Sequence, residues 1–231
     1  MPVAGRGRGV EARAPLSRDL VLRAAIKLAD EGGIAAVTMR RLAEELGAEA
    51  MSLYHHVANK DQVLDGVVDV ITADINAAVD RVDAPVDGAA WKSAARRRIL
   101  TARQVLLRHR WAPAVFASRT ATSPQVLLYF DGLIGIMRAG GFSNDLAHHA
   151  MHALGSRALG FSQELFSPND GPADGEPDPV VVGMAPRLPN LMGMLAEVAH
   201  DDPDSTLGWC DDQSEFEFGL DLLLEGLDRR R

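Results

Sequence analysis

Residues 38–62 read TMRRLAEELGAEAMSLYHHVANKDQ, and the punctuation of this stretch decides the fold. Thr38 is an N-cap type of residue ahead of a helix whose apolar positions, Leu42 and Leu46, sit four apart, and Gly47 stops that helix. A second short helical segment, 49–56, follows at once. Asn59 and Gln62 then have the spacing of a capping box, opening a longer helix with Val63, Leu64, Val67, Val68, Ile71 and Ile75 as its apolar stripe. Helix, glycine-bearing turn and helix make the helix-turn-helix pattern, although a plain αα corner carries the same punctuation.

Working outward, Ser17 caps a preceding helix in which Leu20, Val21, Ala24, Ala25, Leu28 and Ala29 fall on one face, ended by Gly32 and Gly33. Residues 1–15 have no apolar periodicity. With Gly5, Gly7, Gly9 and Arg6, Arg8, Arg13, they are expected to form a flexible basic arm, Arg6 and Arg8 being candidates for minor-groove contacts. Downstream, helices are expected at 89–109, 124–140, 143–166, 190–200 and 212–228, and no segment alternates cleanly enough for a strand. Residues 167–189 hold six of the 12 prolines, with Asp170, Asp174, Glu176 and Asp178, so they are expected to form a long acidic loop. In the last helix Phe216, Leu220, Leu223, Leu224 and Leu227 form a broad apolar face that must pack on its own core or on a second subunit. The expected class is all-α: a flexible arm at 1–15, a three-helix helix-turn-helix head at 16–62, and a helical body at 63–231.

With 231 residues and 47% hydrophobic content, wholesale disorder is excluded. Cys210 is the only cysteine, which excludes an intramolecular disulfide and a cysteine-based zinc site. No apolar run approaches a membrane span, so a cytoplasmic protein is expected. The net charge of −8 argues against nucleic acid only until its distribution is seen. Residues 1–60 carry nine Lys/Arg against seven Asp/Glu, whereas 61–231 carry 15 against 25, a mildly basic head on an acidic body.

In a helix-turn-helix, the second helix lies in the major groove and needs small or hydrogen-bonding residues at its first turn. Ala50, Met51, Ser52 and Tyr54 meet that need. Ala50 and Met51 offer apolar contact to a thymine methyl, Ser52 and Tyr54 suit phosphate oxygens, and Arg40 can fork onto guanine O6 and N7. Leu53 and Val57 would anchor the helix to the first one, and Lys60 opens a helix N-terminus suited to a phosphate.

The stretch from Leu16 to Ile71, most tightly 38–47 and 53–64, resembles the DNA-binding head of tetracycline-repressor (TetR) family regulators. Leu53, Tyr54, His56, Val57, Asn59 and Lys60 carry the specific part of that resemblance. It implies DNA contacts at Thr38, Arg40, Ala50, Met51, Ser52, Tyr54, His56 and Lys60, with Arg40, Ala50 and Met51 as base readers and the others chiefly on phosphates. A weaker resemblance to the tetracycline-repressor-type body runs through Trp91, 138–143 (RAGGFS), 155–160 (GSRALG) and 216–227 (FEFGLDLLLEGL). That body implies a small-molecule pocket in each subunit and a homodimer joined by a four-helix bundle, here from 145–166 and 212–228. The implied protein is a ligand-released repressor on a palindromic operator, without cofactor or catalysis.

The chain has no Gly-rich phosphate loop, no G-x-S-x-G and no H-E-x-x-H. The rival readings are a ligand-independent architectural DNA-binding protein and a helical enzyme, and ligand stabilisation without turnover separates the regulator from both. His148, His149 and His152 are expected to be core or pocket histidines rather than a metal site, there being no obvious third ligand. Arg96, Arg97 and Arg98 read as a solvated face with Arg98 able to turn inward. The expected pocket residues are Asn76, Trp91, Arg98, Trp111, Phe116, Tyr129, Met137, His148, Met151, His152 and Phe161, a mostly apolar set suited to a flat aromatic or polyketide-like molecule. In tetracycline repressors a pocket histidine ligates the magnesium that accompanies the drug; the matching place here is Phe116 or Ala117, neither of which binds metal. Glu164 matches the acidic residue that completes the site from the partner subunit, alone a weak ligand set. No metal is expected.

Overall fold

A computed structural model describes residues 15–82, 88–121, 123–160, 183–198 and 212–231, and the expected arm, most of the acidic loop, Phe161 and Glu164 lie outside them. The described residues are helices, turns and loops, with no strand among them. They fall into two compact units: one from the residues up to Asp74 together with Leu107–Val126, the other from Ile75–Leu106 and Leu127–Arg231.

The first unit begins with α1 (Arg18–Gly32), α2 (Met39–Leu46) and α3 (Ala50–Leu53), followed by α4 (Lys60–Asp80), which crosses into the second unit. The expected caps are in place. The Ser17 hydroxyl accepts from Leu20 N–H at 3.2 Å, and the Thr38 hydroxyl accepts from Arg41 N–H at 3.2 Å. Gly47 ends α2 in the left-handed region at φ 56°, where a side chain would be strained. At α4, Asn59 Oδ1 accepts from Gln62 N–H at 2.9 Å. Gln62 returns the contact one residue earlier than a standard capping box, accepting from Ala58 N–H at 2.8 Å.

Val21, Leu22, Leu42, Leu53, Val57, Val63 and Ile71 are all essentially inaccessible and make the core of this unit. Gly66 lets α4 approach α1, because a Cβ there would lie 2.7 Å from a Leu22 methyl. The sequence reading gave no helix between 109 and 124, but the structure has α6 at Ala112–Ser118, where Pro113 suits a first helical turn. Val115, with Trp111 and Phe116, packs there against Leu64 and Val68 of α4. A hydrogen-bonded clasp closes the same region: Asp30 Oδ1 accepts from Trp111 Nε1 at 2.7 Å and lies 2.8 Å from His109 Nδ1.

In the second unit α5 (Trp91–Leu106), α7 (Pro124–Ala139), α8 (Asn144–Leu154), α9 (Pro189–Val198) and α10 (Asp212–Asp228) are ordered along the chain, α7 entering it at Leu127. The helix expected to continue to 166 ends at Leu154, where Gly155 takes φ 45° and a 3₁₀ turn over Gly155–Leu159 follows. The core joins Trp91, Ile99, Leu133, Met137, Phe142, Ala150 and Leu154 to Phe216, Leu220, Leu224 and Leu227. Trp91 meets Phe142 edge-on at 4.6 Å and donates from Nε1 to Asp228 at 3.1 Å. Arg96 forks onto Asp221 at 2.7 and 3.2 Å and reaches Glu217 at 2.6 Å, tying α5 to α10.

Candidate nucleic-acid interface

A short helix presents sequence information to a groove only if one side is anchored and the other left bare, and α3 has that sidedness. Leu53 and Val57 are fully buried. Ala50, Met51 and Tyr54 are exposed, Met51 at 71%, while Ser52 and His56 are half-buried. The helix itself covers only Ala50–Leu53; residues 54–56 continue it as a turn, with His56 N–H donating to the Leu53 carbonyl at 2.9 Å. Tyr54 and His56 therefore follow the helix instead of extending it.

Thr38, Arg40 and Lys60 are exposed as well. The Thr38 hydroxyl accepts the Arg41 N–H, and its own O–H can donate to a phosphate without breaking the cap. Lys60 begins α4, where the helix dipole and its ammonium favour the same anion. The neighbouring Asp61 faces Arg119, which donates to it at 2.9 Å and lies 3.6 Å from Asp65. Arg40 Nε donates to Glu44 Oε1 at 2.9 Å, a partner the sequence reading did not single out although i, i+4 spacing was there to be seen. Glu44 holds the Arg40 guanidinium pKa above its ordinary value by hydrogen bond and charge. His55, exposed beside Tyr54, was also passed over.

The described residues expected to line a pocket are divided between the two units. Trp111 and Phe116 sit in the first unit, packed near Leu64 and Val68. In the second unit Trp91 and Met137 are fully buried in the core, with Met151 packed at its edge, and Asn76 is half-buried on α4. Arg98 is 5% exposed, donates to the Tyr129 carbonyl at 3.0 Å and lies 4.7 Å over the Tyr129 ring. Of the expected arginine face, Arg97 is exposed and Arg98 turns inward, as the sequence allowed, while Arg96 departs from it, half-buried and ion-paired to Asp221 and Glu217. The expectation of core or pocket histidines is corrected as to the core. His148, His149 and His152 are exposed on α8, because Ala147, Ala150 and Leu154 take its inward positions. His148 and His152 meet edge-to-face at 4.6 Å, but among the described residues no three His, Cys, Asp or Glu are placed to hold a metal.

The apolar face read on the last helix belongs to the unit's own core: Phe216, Leu220, Leu224 and Leu227 are buried and Leu223 is half-buried. What that reading missed is a second apolar edge of α10, where Phe218 and Leu222 are 64% and 56% exposed.

Comparison with known proteins decides the family. Residues 21–67 match the family described as bacterial regulatory proteins, tetR family, and residues 84–231 match the tetracyclin repressor-like C-terminal domain. The chain belongs to the TetR family. It is 28% identical to the tetracycline repressor protein class C of Escherichia coli over 217 residues, covering 94% of this chain and 92% of that one. A crystal structure described as a possible TetR family transcriptional regulator from Streptomyces coelicolor A3(2) superposes with a TM-score of 0.72 at 28% identity, over 93% of this chain and 100% of that chain. BioQ, solved with its natural double-stranded DNA operator, gives a TM-score of 0.58 at 27% identity, over 93% and 99% of the two chains. As a TetR-family protein this chain is a ligand-responsive, DNA-binding transcriptional repressor that acts as a homodimer; it is not an enzyme. No described helix is long and apolar enough to cross a membrane.

Proposed function

We propose that α3 is the recognition helix, that residues 16–62 form the DNA-reading head, and that residues 63–231 form the ligand-binding and dimerisation body. Arg40, Ala50 and Met51 read base edges, while Thr38, Ser52, Tyr54, His56 and Lys60 hold phosphates. The observation that carries this reading is the sidedness of α3, bare at Ala50 and Met51 and buried at Leu53. Two such heads in a homodimer read a palindromic operator with half-sites about one DNA turn apart, the protein acting in the cytoplasm. Selecting bound duplexes from a randomised DNA library tests it: a palindrome of that spacing is expected, and recovery of unrelated duplexes would overturn it.

The inducer is a small, flat, aromatic or polyketide-like molecule held in the body. Tyr129, Met137, Met151 and Phe161, with Trp91, Trp111 and Phe116, supply apolar surface, and Asn76, Arg98, His148 and His152 supply polar handles. The tetracycline repressor class C relative supports this chemistry by its name. Because a ligand shifts an equilibrium only through its differential affinity, the DNA-free form binds the inducer more tightly. Phe116 or Ala117 matches the place where tetracycline repressors carry their metal-binding histidine, and neither binds a metal, so magnesium-tetracycline is not expected to release this protein from DNA. Release by tetracycline that requires magnesium, followed by operator mobility shift, would overturn this reading.

In the dimer, residues 145–166 and 212–228 supply the bundle, with Phe218 and Leu222 on its seam. The support is their exposure on an i, i+4 edge, since the buried stripe of the same helix is already occupied.

A further inference from the structure

Glu44 lies one turn after Arg40 on the exposed side of α2, with the two side chains 59% and 87% exposed. The contact is directional. Arg40 Nε is the donor and Glu44 Oε1 the acceptor at 2.9 Å, which leaves Nη1 and Nη2 as the pair available for guanine O6 and N7. The neighbouring carboxylate, Glu45, is held by Lys27 at 2.5 Å, so the two acidic residues of α2 are partitioned: one braces α2 against α1, the other engages Arg40.

We infer that Glu44 is a positioning residue for sequence discrimination: by engaging Arg40 Nε it fixes the guanidinium plane for a fork onto guanine, and by its charge it disfavours the same arginine settling on a phosphate. This rests on Arg40 being a base reader. An exposed i, i+4 pair is weak in water. Inside a major groove the same pair loses water on several sides and its interaction strengthens, so the brace acts where the base is read. An unbraced arginine on a flexible stem satisfies phosphates at any sequence, which raises affinity without raising discrimination. A carboxylate beside it adds the repulsive element that specificity requires.

The experiment compares base preferences recovered from a randomised duplex library by the full-length protein and by Arg40→Ala, Glu44→Ala and Glu44→Gln, alongside affinity for a random-sequence duplex. Arg40→Ala is expected to lose the preference for guanine at one position of each half-site. Glu44→Ala should lessen that same preference about tenfold, leave the other positions unchanged, and bind the random duplex more tightly. Glu44→Gln keeps an oxygen to accept the Nε proton, so it should retain the guanine preference while binding the random duplex more tightly. Glu44→Ala added to Arg40→Ala should alter no base preference. If Arg40→Ala changes the profile and Glu44→Ala does not, or if Glu44→Ala weakens every position equally, the role of Glu44 is overturned while that of Arg40 stands. If Arg40→Ala leaves the profile intact, the base-reading role of Arg40 itself fails and the inference with it.

Discussion

In the proposed interface Tyr54 and Lys60 offer a hydroxyl and an ammonium to the phosphate backbone, which has the same charge at every sequence. Tyr54→Phe and Lys60→Ala should therefore weaken binding to operator and random duplex alike, and Lys60→Ala should also lower the slope of log affinity against log salt by about one. Fluorescence anisotropy titrations at several salt concentrations check both. A loss confined to the operator would assign these residues to bases. Other residues act on the fold alone. Asp30 accepts from the Trp111 indole and contacts His109 through a single oxygen. Asp30→Ala should cost about 1 kcal/mol in urea unfolding, because it removes the acceptor shared by two half-buried rings. The caps at Ser17, Thr38 and Asn59 were legible in the sequence because each partner lies three residues away. Asp30 was not, since its partners lie 79 and 81 positions downstream and nothing local marks them.

Helices are legible when their period and their ends are both written in the chain, and α1, α2 and α4 meet that condition. The α6 helix does not: seven residues of small and apolar type, with Trp111 making no side-chain cap, give no readable period. The last helix shows a different limit. Its main stripe was legible, but α10 is apolar on two edges, and one-face periodicity points only to the wider one. The seam prediction follows from the narrower edge. Phe218→Glu should yield monomers with normal helical content, because that side chain is already outside the unit's own core, whereas Leu220→Glu should unfold the body by placing a charge at a fully buried position. Sedimentation and circular dichroism distinguish the two. A Phe218→Glu dimer of unchanged affinity would move the interface elsewhere.

On the scale of the whole chain, acid should weaken the fold through carboxylates that bridge α5 to α10. Asp228 is held below the usual carboxylate range, first by the Trp91 indole N–H and then by Arg231 and Lys92, and Glu217 is lowered by Gln213 and Arg96. Groups depressed in the folded state contribute fully above their unfolded values, and the contribution is lost as pH falls through the folded ones. Urea midpoints should thus be flat from neutral pH to about 5 and then decline, and Asp228→Asn should flatten that decline. Parallel curves for the variant and the parent would remove Asp228 from the acid response.

The helix-turn-helix stretch reads as a self-contained module, yet the compact unit holding it recruits Leu107–Val126 from much later in the chain. On the ribosome, chain elongation at about 5–20 residues per second leaves a wait of some seconds between completion of α4 and arrival of α6. During that interval the faces of Leu64 and Val68 that Val115 will cover are open, and Asp30 has neither Trp111 nor His109 to meet. A transplanted head that stops at Asp74 would carry that unfinished state permanently. A chimera built to change operator choice therefore needs both segments, or replacement of only the exposed face of α2 and α3.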